Sequence, residues 1–88
     1  MTFDSSRPYR LSPAVTLRPE PFGALAYHFG QRRLTYLAAG DLVDVVTALP
    51  TQPSAAAAID AVGVAESRRP VLERALDSLV RRGVLDAG

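Results

Sequence analysis

Gly23-Ala24-Leu25-Ala26-Tyr27-His28-Phe29-Gly30-Gln31-Arg32-Arg33-Leu34-Thr35-Tyr36-Leu37 reads as two strands folded back on each other around Gly30-Gln31. Glycine at the first position of a two-residue turn matches the type II′ hairpin preference. That turn sets Phe29 opposite Arg32, Tyr27 opposite Leu34 and Leu25 opposite Tyr36; a four-residue loop keeps the same register. Side chains alternate across a strand. Leu25, Tyr27, Phe29, Leu34 and Tyr36 therefore share one face, and their size assigns that face to the core. Ala24, Ala26, His28, Arg33, Thr35 and Leu37 share the other.

Upstream, Val15-Thr16-Leu17-Arg18 alternates as a half-buried strand. Pro13, Pro19 and Pro21 bracket it, and two prolines one residue apart are expected to end its ladder. In a three-stranded meander the first and last strands are the edges. Proline lacks an N–H and blunts an edge against further pairing. Arg32-Arg33-Leu34-Thr35-Tyr36-Leu37 contains none, so its edge is expected to accept another strand.

Three helices follow. Asp41 is a suitable N-cap, and Leu42, Val45, Val46 and Leu49 recur at i, i+3, i+4 and i+7, one apolar face, before Pro50. Thr51 or Ser54 caps a short helix over residues 55–62, with Gly63 at its C-terminus. Ser67 is expected to cap the third helix, which tolerates Pro70 in its first turn and stops at Gly83. Arg69–Glu73 and Asp77–Arg81 are spaced i, i+4 for ion pairing. Residues 1–8 read as a flexible tail, 9–12 as a segment beside the sheet, and Val84-Leu85 as a short extended end. The expectation is a single α+β domain over residues 9–88, winged-helix-like, with a three-stranded antiparallel sheet followed by three helices.

Composition narrows the function. Eighty-eight residues with no cysteine exclude a disulfide framework and thiolate metal sites, and fit a reducing compartment. No apolar signal run or membrane-length stretch is present, so a cytoplasmic protein without a membrane partner is expected. All ten basic residues are arginine, yet the formal net charge is only +1. A third helix carrying Arg68, Arg69, Arg74, Arg81 and Arg82 invites comparison with a DNA-recognition helix. Glu66, Glu73 and Asp77 dilute that charge, and phosphate contacts supply most DNA affinity. No nucleic-acid partner is therefore expected, and a DNA-binding regulator is the alternative reading.

Catalytic chemistry has no anchor. His28 is the single histidine and has no orienting partner or second metal ligand in its neighbourhood of sequence. No serine lies in a nucleophile elbow, and no glycine pattern suits phosphate. The chain reads as non-enzymatic and without a cofactor. An open strand edge on a small domain instead points to peptide binding by strand addition. Arg32, Arg33, Leu34, Thr35, Tyr36 and Leu37 would supply the pairing strand. Val71, Arg74, Ala75 and Ser78 on the third helix would line a groove beside it, although Val71 and Ala75 equally suit the core. A homodimer through the same edge is a further alternative.

The strand and helix order resembles the precursor-peptide recognition element of ribosomal peptide natural-product pathways. Leu17-Arg18-Pro19-Glu20-Pro21-Phe22-Gly23-Ala24-Leu25, then Tyr27-His28-Phe29-Gly30 and Arg32-Arg33-Leu34, is similar to the mycofactocin biosynthesis chaperones, and the likeness continues through Pro53-Ser54 and Gly63-Val64. That resemblance implies a chaperone that binds the leader of a short precursor peptide. It also implies a radical S-adenosylmethionine maturase as partner, which carries the iron–sulfur clusters and modifies a Val-Tyr end of the precursor.

Overall fold

The hairpin forms in the expected register, but with its faces exchanged. In a computed structural model that describes residues 3–87, strand β3 (Gly23–His28) pairs antiparallel with β4 (Arg33–Leu37), with Tyr27 opposite Leu34 and Leu25 opposite Tyr36. Phe29 to Arg32 form a four-residue loop, and Arg32 takes the left-handed conformation with φ 50° that closes it. The buried face holds Ala24, Ala26, Thr35 and Leu37. Leu34, Tyr36 and Phe29 are exposed instead. The cause is steric. Helix α1 (Gly40–Ala48) packs directly against β3 and β4, and alanines let it approach closely. Bulk alone had favoured the other face.

Strand β2 (Val15–Glu20) pairs antiparallel with β3 on its other side, so the sheet order is β2-β3-β4, with β2 and β4 as edges. Its ladder runs through Pro19 to Glu20, past the expected stop. The Phe29 N–H donates to the Ala14 carbonyl at 2.9 Å. Hydrogen-bonding direction alternates along a strand. The main-chain groups of Leu25, Tyr27 and Phe29 therefore face β2, and Pro19, opposite Ala24, turns its missing N–H outward. Proline there forfeits no ladder bond while it guards the edge.

A separate two-stranded sheet joins β1 (Tyr9–Leu11) to β5 (Leu85–Ala87), so the segments expected beside the sheet and at the end of the chain pair with each other. Helix α2 (Ala55–Val62) is capped by Ser54, whose hydroxyl accepts from the Ala57 N–H at 3.1 Å, and ends at Gly63 with φ 78°. Asp41 lies in the first turn of α1 and does not cap it; Ala39 is the cap residue. Likewise Ser67 lies in a short 3-10 turn that leads into helix α3 (Arg69–Arg81), which has Pro70 in its first turn. The core gathers Leu37, Val45, Leu49, Ile59, Leu72, Leu76, Val84 and Leu85, all fully buried. Both i, i+4 pairs on α3 form, at 3.6 Å for Arg69–Glu73 and 3.0 Å for Arg81–Asp77.

Met1, Thr2 and Gly88 lie outside the described residues, and with them part of the expected tail and the last residue of the expected domain. From Phe3 onward the N-terminal segment makes specific contacts. The Ser5 and Arg7 carbonyls accept from the Ala56 and Ala55 N–H groups, covering free donors at the start of α2. Phe3 stacks near Tyr9 with ring centroids 5.1 Å apart, and its N–H donates to Asp77 Oδ1. No helix among the described residues is long and apolar enough to cross a membrane.

Candidate functional site

The β4 edge is defined atom by atom by the ladder behind it. Main-chain groups of Ala24, Ala26 and His28 face β4, so their partners Leu37, Thr35 and Arg33 direct their own N–H and C=O groups back into the sheet. Leu34 and Tyr36 direct theirs outward. The edge thus offers two donors and two acceptors to an added strand. Leu34 and Tyr36 are 60% and 52% exposed, whereas Thr35 and Leu37 are buried. Arg32 and Arg33 are exposed where the edge begins.

Helix α3 is tied at each end to residues flanking β4. Asp41, just past the end of β4, accepts a two-pronged bond from Arg68, just before α3: Nε to Oδ2 at 2.7 Å and Nη2 to Oδ1 at 2.9 Å. At the opposite end Gly83 lies against the turn that precedes β4. A Cβ built on Gly83 would stand 3.4 Å from Gln31 Nε2 and 3.7 Å from His28 Nε2. The helix therefore runs antiparallel to β4. Val71 is exposed, and Ala75 and Ser78 are half-buried on the stripe next to the core residues Leu72, Leu76 and Leu79. Ala75 also packs against the core cluster. Arg74 lies elsewhere, lining a hollow with Phe3, Pro70, Glu73 and Asp77 on the side taken by the N-terminal segment.

The Arg68 fork holds the Asp41 carboxyl below its usual value, and the carboxylate raises Arg68 in turn. Side-chain exposures of 38% for Arg68 and 26% for Asp41 leave the pair screened by solvent, so its contribution to stability is small. A lowered folded pKa makes that contribution whole above the ordinary 3.8, and it fades as pH falls through the lowered value. Asp41→Asn should therefore melt slightly earlier than wild type at neutral pH. In thermal melts well below pH 3.8 the two should converge.

Ion pairing also bears on DNA. Arg68 is bound to Asp41, Arg69 to Asp60 and Glu73, and Arg81 to Asp77. Three of the five arginines expected on a recognition helix are thus neutralised within the fold. His28 sits opposite Arg33 on the inner face of the sheet, and its Nδ1 accepts from the Gln31 N–H at 3.2 Å. Among the described residues no three histidine, aspartate or glutamate side chains converge as a metal site would require.

The outer sheet face is the one that bulk alone places in the core: Leu25, Tyr27 and Phe29 line an outward hollow with Thr16, Arg18 and Leu34. The signal that marks it is the alternation of Ala24 and Ala26 with larger residues: small residues mark the side a helix presses on.

The fold is an α+β domain whose three-stranded sheet has one edge strand carrying proline and one without. The family comparison gives its class as a peptide chaperone. Residues 8–86 match the family described as peptide chaperone MftB, and the chain belongs to that family. It is 43% identical over 88 residues to the peptide chaperone MftB of Mycolicibacterium smegmatis, covering 100% of this chain and 86% of that protein. Against the peptide chaperone MftB of Mycobacterium ulcerans it is 43% identical over 77 residues, covering 88% and 71%. For the Mycobacterium tuberculosis protein of the same name the figures are 40% over 83 residues, 94% and 76%. No solved structure matches the chain.

Proposed function

We propose that this chain binds the leader of a short ribosomally made precursor peptide as a fourth strand on β4, and presents it to a radical S-adenosylmethionine maturase in mycofactocin biosynthesis. The observation that carries this reading is the outward main chain of Leu34 and Tyr36 on an edge with no proline. Strand addition takes affinity from main-chain bonds and specificity from alternate side chains. In this reading Val71, Ala75 and Ser78 would flank the added strand, with alanine at the centre so that it can approach closely. Arg32 and Arg33 lie where acidic leader residues would meet them, adding under ~1 kcal/mol for each exposed pair.

The chain supplies no reaction of its own in this reading; it works in the cytoplasm by ordering the substrate. A free leader is flexible, and fixing it as a strand removes entropy that the enzyme would otherwise have to remove. Linkage then requires the leader and the maturase to strengthen each other's binding by the same factor. The test is precursor modification by purified maturase, with and without this protein, on leader-bearing and leaderless peptides. Addition of the chain should accelerate modification of the leader-bearing peptide alone. Full activity on that peptide without the chain would sink the proposal.

A further inference from the structure

Among the described residues, helices cover one face of the three-stranded sheet and leave the other open. Alternation places Leu25, Tyr27, Leu34 and Tyr36 on the outer face together with Thr16 and Arg18. Phe29 leans to the same side, its ring edge-on to Tyr27 with centroids 5.2 Å apart, over a shallow apolar hollow of about 340 Å³. Phe29 is 56% exposed, comparable with Leu34 and Tyr36 beside it. A contiguous patch of large apolar side chains held on a rigid sheet is the mark of an interaction surface. Its charged rim is net basic: Arg18, with its side chain 71% exposed, pairs with Glu20 at 3.1 Å, and Arg32 stands exposed at the turn, while Arg33 alternates to the opposite face.

A second copy of the chain fits this face poorly. A two-fold interface sets the same patch against itself, so the arginine rims of the two copies would be brought together.

An added strand would share this face. Leu34 and Tyr36 belong to both surfaces, with their main chain on the free edge and their side chains on the outer face. A peptide paired to them becomes the fourth strand, and every second side chain of it stands on the same outer face. The face then widens by about one third. We propose that the outer face is the docking surface for the enzyme that modifies the bound peptide. The enzyme's matching surface is an apolar centre rimmed by carboxylates, and it reads the sheet and the leader's outward side chains as one patch. This inference rests on the presentation reading above and assigns it a surface distinct from the groove beside α3. It also gives the mutual strengthening a physical basis, because the leader itself supplies part of the docking area.

Phe29→Asp and Arg18→Glu test it. Phe29 is more than half exposed and turns its main chain toward β2, so the leader edge is untouched; Arg18→Glu reverses the rim without altering the apolar centre. Each variant, with its fold checked by circular dichroism, is titrated with labelled leader peptide and then with purified maturase, with and without leader. Leader affinity should stay within about twofold of wild type, while maturase affinity should fall at least tenfold, about 1.4 kcal/mol. Maturase binding within threefold of wild type in both folded variants would overturn the inference. A wild-type dimer in sedimentation experiments that Phe29→Asp dissolves would also overturn it, in favour of a second copy. Failure of the presentation reading appears separately, as absence of leader binding by the wild-type chain in the first titration.

Discussion

Leu34→Pro should abolish strong leader binding while leaving the domain folded, whereas Thr35→Pro should destabilise the domain itself. The two residues are neighbours on β4 but direct their main chains to opposite sides. Leu34 turns its N–H to the open edge and its largely exposed side chain to solvent, so proline there removes a donor from the guest and nothing from β3. The ring also holds an incoming strand away from the edge. We expect leader affinity to fall at least tenfold, about 1.4 kcal/mol or more, with Leu34→Ala as the control for the side chain. Thr35 is buried and its N–H faces Ala26. Proline at that position leaves a buried acceptor unpaired, a cost of roughly 1–3 kcal/mol before any clash of the ring is added. For a domain this size each kcal/mol shifts the melting temperature by roughly 4–8 °C. Calorimetric titration with leader peptide and thermal melts of both variants decide the matter. Unchanged leader affinity in a folded Leu34→Pro protein would remove the edge from the mechanism.

The strand register, the apolar stripe of α1, the Ser54 cap, the Gly63 stop and the two ion pairs on α3 were all legible in the sequence. Each depends on residues close in the chain, where spacing alone decides which groups can meet. The face of the hairpin was not legible in the same way. Leu25, Tyr27 and Phe29 alternate with Ala24, Ala26 and His28, and either set could turn inward. What decided it was the distance at which α1 packs on the sheet, a tertiary quantity that no local pattern carries. The ladder through Pro19 had the same character. A proline's cost in a strand depends on which way its nitrogen points, and that direction follows from the neighbouring strand. The open edge itself was legible, because the position of the prolines in β2 and their absence from β4 are properties of sequence. Its division into outward Leu34 and Tyr36 and inward Thr35 and Leu37 needed the Phe29–Ala14 hydrogen bond to set the phase.

Gly23→Ala should be the most damaging small substitution in the sheet. Gly23 opens β3 opposite Glu20, and a Cβ built on it would drive into the Leu37 carbonyl oxygen, with the Leu37 carbonyl carbon also at only 3.1 Å. Both obstructing atoms are main chain, so no rotamer change can relieve the overlap. The end of β4 has to move, and Leu37 is fully buried beneath α1. Overpacking of this kind costs roughly 1–3 kcal/mol and at times more. Replacing glycine elsewhere stabilises by about 0.4–1 kcal/mol, through the unfolded chain, so the structural loss must exceed that gain. Gly40→Ala is the matched control. Gly40 begins α1, and a Cβ there meets nothing within 4 Å, so alanine should be neutral or slightly stabilising. Thermal melts of the pair should separate by roughly 10 °C or more. The same displacement would carry Tyr36 with it, because Tyr36 precedes Leu37 on the strand, so leader affinity should weaken in Gly23→Ala and hold in Gly40→Ala. Equal melting temperatures for the two variants would show that β3 and β4 can separate at this end without cost, and would remove the close approach at Gly23 as the clamp that sets the open edge.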